Sequence, residues 1–247
     1  MATNNFGPLD LIIGFFTLTF VSISIILGII LISKYFKYKE RAFILVGITW
    51  MLIVSPYWSD VTAFIYQLFT QKLIVERIYF FITFCFVPIA HIIWIISFTN
   101  LMMYEKRKKT ILWIILIESI LFEILFIIFI IFDPTIIGTQ VDALTNDWNI
   151  FAIIYFIFSL VLFVGTGFLC AIKLYKSNLK EIKLKGIFLF IAFTCFMIGG
   201  IFDAIFTATY RLILIIARII MIMSAFCFYI GFVMPDFIKK LFIKNIE

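Results

Sequence analysis

Charged residues are scarce in this sequence: they make up 14% of it, whereas soluble domains contain about a quarter. Hydrophobic residues make up 65%, and the mean hydropathy is +1.20. A soluble globular protein is therefore excluded, and the composition indicates an integral membrane protein. Because the basic residues form short clusters between apolar runs, nucleic-acid binding is also disfavoured.

The chain also lacks the residues of several enzyme classes. It contains a single histidine, His91, so a zinc site with several histidine ligands cannot be built. No GxSxG or P-loop motif is present, and the last apolar run has no lysine to carry a retinal Schiff base. We therefore expect no enzyme activity, no metal and no cofactor. The cysteines all fall inside apolar runs, so no external disulfide is expected: Cys85, Cys170, Cys195 and Cys227.

Seven runs are long enough to cross a bilayer, which takes about 20 apolar residues. They predict one all-α domain over residues 1–247, an integral membrane seven-helix bundle. No basic segment precedes the first run, so it is expected to be a span and not a removed signal peptide. The predicted spans are Leu11–Ser33, Ala42–Phe69, Leu73–Met103, Ile111–Phe132, Ile150–Leu174, Ile187–Thr209 and Leu212–Met234.

The orientation follows from the basic residues, which concentrate in cytoplasmic loops of membrane proteins. Sixteen of the 20 Lys and Arg lie in alternate connections and the tail, for example Lys106–Lys109 and Lys239–Lys244. The opposite connections contain Lys72 and Arg211, and the longest of them is the acidic loop Asp133–Asn149. We therefore predict a multi-pass protein of the cell membrane with Asn4 outside and the C-terminus inside.

One group of charged residues is predicted in the outer half of the bundle. If the chain turns near Tyr210, Asp203 and Arg218 lie roughly 10–12 Å below the same surface. Opposite charges at equal depth favour pairing, and charges at that depth face the bundle interior or a wet cavity. Asp60 and Arg77 are predicted at comparable depth, and Pro56 should kink the second span beside Tyr57. An outward-facing ligand pocket and a set of structural ion pairs both remain open.

A second polar group is predicted deeper in the bundle. His91 and Glu123 lie sixteen residues either side of Arg107, so they should face each other, with Glu118 nearer the inside. A histidine and a carboxylate can relay or sense protons, or simply join two helices. We expect His91 to contact Glu123 or Glu118. Gly199–Gly200 and Pro88 are candidate bends, and the two glycines suit close helix packing equally well.

The seven spans end in the segment YIGFVMPDFIKKLF. The residues of this segment that carry a resemblance to known proteins are Gly231, Pro235, Asp236, Phe237, Lys239 and Lys240. This arrangement resembles the seven-helix N-terminal sensor regions of prokaryotic histidine kinases and related signalling proteins. In those proteins a cytoplasmic output domain follows the last span. The resemblance therefore implies either a sensor whose output passes through a partner protein or a stand-alone relative of those proteins.

The leading functional prediction is a receptor-like or sensory membrane protein. An outside small ligand would bind among Tyr57, Asp60, Arg77, Asp203 and Arg218, and a cytoplasmic signalling protein would meet the basic inner loops. The alternatives are a small transporter or ion-translocating protein, in which His91, Glu118 and Glu123 extend the polar path, and a retinal-free relative of the rhodopsins. Besides lipid, a homodimer partner is left open.

Overall fold

The computed structural model describes residues 6–102, 105–205 and 210–243. Within them the protein is an all-α bundle, as predicted. Six helices are long and apolar enough to cross a membrane, and the bent pair α2–α3 makes a seventh if it counts as one span. The elements are α1 (Pro8–Tyr38), α2 (Arg41–Ile53), α3 (Pro56–Thr70), α4 (Glu76–Phe84), α5 (Val87–Met102), α6 (Glu105–Phe132), a 3₁₀ turn (Pro134–Ile136), β1 (Gly138–Gln140), β2 (Asn146–Trp148), α7 (Ile150–Tyr175), α8 (Lys180–Ile205), α9 (Arg211–Val233) and α10 (Asp236–Ile243).

The predicted kink in the second span is present at Pro56. Helices α2 and α3 meet there at an angle of 51°. Proline has no N–H to bond the carbonyl of Leu52, and that carbonyl instead accepts from Ser55 N at 3.0 Å. The bend sets the direction of α3, which carries Tyr57 and Asp60.

The third predicted span is interrupted next to Pro88. Helix α4 ends at Phe84 and α5 begins at Val87, although Glu76–Met102 is straight enough to count as one span of 27 residues. Pro88 cannot donate to the carbonyl of Phe84, which accounts for the break at this position. The proline therefore interrupts the helix without turning it sharply.

Helix α8 continues through Gly199 and Gly200, and Gly199 serves close packing against α9. A Cβ built on Gly199 would lie 2.6 Å from Met221 Cγ and 3.3 Å from the carbonyl oxygen of Ala217, both on α9. The absence of a side chain thus lets α8 and α9 approach each other. Gly231 of α9 does the same farther along, where a Cβ would lie 2.5 Å from Leu189 Cγ.

The acidic loop between α6 and α7 is folded, which the sequence pattern did not predict. After the 3₁₀ turn, β1 and β2 form an antiparallel hairpin in which Gly138 pairs with Trp148 and Gln140 with Asn146. Leu144 and Ala143 are buried at its turn. We call the end of the bundle that carries this hairpin the hairpin end, and the opposite end, with the lysine-rich connections, the basic end.

Buried aromatic rings fill the bundle towards the basic end. Trp50 of α2 stacks on Phe228 of α9, with ring centroids 4.1 Å apart, and lies 5.8 Å from the ring of Phe196. Phe163 and Phe193 complete this aromatic cluster. Many large apolar side chains on the outer faces of the helices are exposed, as suits contact with lipid. At the basic end, Lys239 of α10 forms an ion pair with Glu181 of α8.

A few predicted positions lie outside the described residues. Met103 and Thr209, the predicted ends of the third and sixth spans, are among them. So are Asn4 and Lys244, which were used to predict the orientation.

Candidate ligand-binding site

Arg218 of α9 is the centre of a buried polar cluster at the hairpin end. Its side chain is 1% exposed. Nη1 donates to Asp203 Oδ1 at 2.7 Å, Nη2 to Asp60 Oδ2 at 3.2 Å, and Nε to Thr17 Oγ1 at 2.8 Å. The Tyr57 ring covers the guanidinium, with its centroid 4.6 Å from Cζ. A buried guanidinium is retained because every nitrogen has a protein partner and an aromatic face lies over it.

Four helices bring this cluster together. Asp203 and Arg218 lie at equal depth on α8 and α9, and the direct ion pair predicted between them is present. Tyr57 and Asp60 are three residues apart on α3 and so share a helix face. The bend at Pro56 aims that face at α9, while Thr17 comes from α1.

Arg77 does not join the cluster, and its predicted place among the ligand-binding residues is therefore not supported. Its side chain is exposed, and it makes no ion pair with any residue that the structure describes. The inward-facing residue of α4 is Tyr79, which is 1% exposed. Two residues correspond to about 200° around a helix, so Arg77 points away from the bundle.

Tyr79 extends the cluster to the hairpin, and sequence reasoning missed it. Its hydroxyl donates to Asp60 Oδ1 and accepts from Asn146 Nδ2 at 2.8 Å. Thr83, one turn further on, donates to Ser59 Oγ at 2.8 Å. Tyr79 and Thr83 are polar residues four apart in an apolar run, a spacing that places them on one helix face. This spacing is the sequence signal that could have identified them. Asn146, by contrast, lies in a loop whose fold the sequence pattern does not specify.

These polar groups form one wall of a cavity of about 470 Å³. Four of the five predicted ligand-binding residues line it: Tyr57, Asp60, Asp203 and Arg218. The hairpin closes it with Leu144, Asn146 and Trp148, and its remaining wall is largely apolar. Other lining residues include Ile53, Val87, Ile153, Phe156, Ile157, Leu160, Phe196, Gly200 and Ile201.

The hairpin is tied to the bundle around the rim of this cavity. Arg211, at the start of α9, forms ion pairs with Asp10 at 2.6 Å and with Asp142 at 2.7 Å. On the other side, the backbone N–H of Gln140 donates to Glu76 Oε1 at 2.7 Å. The loop is thus held to α1, α4 and α9.

The predicted polar contact of His91 is made to Glu118. Nδ1 lies 3.6 Å from Glu118 Oε2, and Nε2 lies 2.7 Å from Ser159 Oγ. Glu123 was predicted to face His91, but its oxygens make no contact with the ring, and Oε2 is buried without a hydrogen bond among the described residues. Because Ser159 also lines the cavity, His91 lies one hydrogen bond away from it.

Comparison of the chain with protein-family models, with curated proteins and with solved structures gave no match.

Proposed function

We propose that this protein is a receptor-like or sensory protein of the cell membrane. In this proposal the hairpin end and the N-terminus face outside, and the basic end faces the cytoplasm. A ligand from outside occupies the cavity, and a cytoplasmic protein receives the signal. The observation that supports this most directly is a cavity of about 470 Å³ beside the Arg218 cluster, which is within the size range of small-molecule sites.

The exposure of Asp203 favours a binding site over ion pairs that only join helices. Such pairs are most stable when both charges are enclosed by their partners. Arg218 is 1% exposed and Asp60 10%, but the side chain of Asp203 keeps 23% exposure and lines the cavity. A charged group in an otherwise apolar bundle is therefore available to a ligand.

The packing of α8 and α9 supplies a path for the signal. Asp203 and Arg218 connect these helices at the cavity, and close contacts at Gly199 and Gly231 continue along them. At the basic end, α8 is joined to α10 through Glu181 and Lys239. A ligand that shifts Asp203 relative to Arg218 would therefore move the surface that faces the cytoplasm.

A transporter is the second candidate, and one contact favours it. Ser159, His91 and Glu118 lead from the cavity towards α6, as a proton relay would. Against it, Phe196 of the cavity wall packs on Trp50, and Trp50 stacks on Phe228. A transporter would have to open this aromatic cluster in every cycle, whereas a receptor uses it as a rigid connection.

Filling the cavity covalently tests the receptor proposal without knowledge of the ligand. A Cβ at Gly200 would meet only Leu160 Cδ1 at 3.5 Å, and Gly200 lines the cavity. Gly200→Cys, in a background with the four native cysteines replaced by alanine, is reacted with a methanethiosulfonate ethylammonium reagent. We expect the adduct to change amide hydrogen exchange at the basic end, in residues 176–186 and 234–240.

The matched control is Gly165→Cys on α7, where a new Cβ has nothing within 4 Å. Gly165 is exposed and does not line the cavity, so its adduct should leave the basic end unchanged. Equal exchange at the basic end with and without the Gly200→Cys adduct would contradict the receptor proposal. Uptake of a solute into proteoliposomes, blocked by the same adduct, would favour the transporter.

A further inference from the structure

The charged group of the cluster that is most accessible from the cavity is a hydrogen-bond acceptor. The three nitrogens of Arg218 all donate to protein groups, and its face is covered by Tyr57. Of the three charged side chains of the cluster, the carboxylate of Asp203 is the most exposed. A ligand therefore meets a carboxylate and not a free guanidinium.

Asn146 adds a second acceptor, and the hydrogen bonds around it fix which atom is free. The single hydroxyl hydrogen of Tyr79 is donated to Asp60, so the Tyr79 oxygen must accept from Asn146. The atom of Asn146 that faces Tyr79 is then the amide nitrogen, which leaves Oδ1 for another partner. Asn146 is 4% exposed, and its Oδ1 is buried without a hydrogen bond among the described residues. A ligand donor therefore reaches Oδ1 only if the amide turns towards the cavity, and because a buried acceptor left unpaired is costly, the contact made then would be stabilising.

The formal charges of the cluster point the same way. Asp60 and Asp203 face one arginine, so the ionised cluster carries a single negative charge. At the rim, Arg211 is paired with Asp10 and Asp142, and Glu76 accepts from the backbone of Gln140. A cationic group beside Asp203 would balance the cluster, and an anionic group would add to the excess.

The apolar wall of the cavity and its opening determine what kind of chemical group can extend from the ligand's polar end. Ile153 and Ile157 of α7 and Ile201 of α8 line the cavity, and their side chains are also 40%, 57% and 37% exposed. Side chains that do both mark a lateral opening between the two helices. The helices are close at the basic end, where a Cβ on Gly186 would lie 2.5 Å from Tyr175 N, but at Gly200 the nearest atom is 3.5 Å away. The opening therefore faces the hydrocarbon region of the bilayer.

We infer that the cavity takes a lipophilic ammonium ligand, which enters from the bilayer between α7 and α8 and places its N–H donors against Asp203 and Asn146. This inference rests on the proposed function, because it names the ligand class of the same site. The apolar wall and the lateral opening suit an aliphatic body, and the two acceptors suit a protonated amine.

The test compares three probes that differ only in their head group: n-decylammonium, n-decanoate and n-decanol. The protein carries Gly200→Cys in the background without native cysteines and is held in nanodiscs of zwitterionic lipid. The rate of alkylation of the cysteine by a small uncharged reagent is measured with each probe. We expect n-decylammonium to slow alkylation at least tenfold more than n-decanoate does, with n-decanol between them.

Gly165→Cys is the control for effects of the probes on the bilayer, and its rate should not depend on the head group. Asp203→Asn in the Gly200→Cys protein should remove most of the preference for the ammonium. Asn146→Ala tests the second acceptor if Asp203→Asn lowers folding. Equal protection by the three probes, or stronger protection by n-decanoate, would overturn the inference. So would the absence of protection by any probe, even if the covalent adduct still alters the basic end and the proposed function stands.

Discussion

At the scale of single residues, the cost of Arg218 decides what the cluster does for stability. A charge this deep in an apolar bundle is tolerated only with its partners, and it has two carboxylates, Thr17 and the Tyr57 ring. Removing it leaves two like charges facing each other. Removing Asp203 alone leaves Arg218 with Asp60, and an amide in place of the carboxylate can still accept its hydrogen bond.

We therefore expect unequal and coupled effects in this cluster. Arg218→Gln should lower the free energy of unfolding by about 3–5 kcal/mol, and Asp203→Asn should lower it by less, because that side chain is 23% exposed. The double variant should cost less than the sum of the two. Thermal unfolding in detergent measures this, with Arg77→Gln as an exposed control expected to lie within about 0.5 kcal/mol of the parent protein. Strictly additive losses would mean that Asp203 and Arg218 do not interact.

Counting residues from a turn brought Asp203 and Arg218 to the same level of the bundle, but it could not predict direction around the helix. Asp203 and Arg218 were predicted as a pair from depth alone, and they form one. The same reasoning selected Arg77 where Tyr79 faces the cluster, and it left Glu123 and Glu118 open as partners of His91, whose contact is with Glu118. Five residues separate Glu118 from Glu123, which is about 140° around a helix. Depth depends only on the number of residues, whereas direction depends on the angle at which each helix leaves its turn, and that angle is set by packing.

At the scale of secondary-structure elements, α8 offers two adjacent glycines with opposite roles. Gly199 faces α9 and has no room for a methyl group, whereas Gly200 faces the cavity and has room. Gly199→Ala should destabilise the protein by about 1–3 kcal/mol through overpacking against Met221. Gly200→Ala should stabilise it by about 0.5–1 kcal/mol, because alanine favours a helix interior.

Thermal unfolding of the two single variants checks these opposite signs. Each substitution adds one methyl group to the same turn of the same helix, so the two proteins serve as each other's control. Equal destabilisation of the two variants would mean that both glycines are needed for a bend in α8. Close packing would then no longer explain the glycine pair.

The hairpin is the element that the sequence did not reveal. Its strands have three residues each, too few for an alternating pattern, and its turn signals fit any polar loop. Its position depends on distant partners: Arg211 on Asp142, Glu76 on Gln140 and Tyr79 on Asn146. The apolar runs of the long helices, in contrast, carry their own signal, and within the described residues each predicted span coincides with a helix or a helix pair.

At the scale of the whole molecule, the charges at the two ends have different structural roles. At the hairpin end, Arg211 is engaged in ion pairs with Asp10 and Asp142. At the basic end, lysines lie at the α1–α2, α5–α6 and α7–α8 connections, and several of them are exposed. An excess of lysine is typical of a cytoplasmic surface and supports the proposed orientation. In that orientation the proposed ligand cavity would open in the outer half of the bilayer, and the basic surface would face the proposed cytoplasmic partner.

Labelling of single cysteines on intact cells tests this orientation. Asp147 of the hairpin and Lys109 at the start of α6 are both exposed, whereas Asn146 is buried and unsuitable as a probe. In the background without native cysteines, we expect a membrane-impermeant maleimide to label Asp147→Cys on intact cells. Lys109→Cys should react only after the membrane is permeabilised, because sixteen of the 20 basic residues place that end in the cytoplasm. The reverse labelling pattern would show that the protein has the opposite orientation in the membrane. The cavity would then lie in the inner half of the bilayer, which would rule out a ligand from outside.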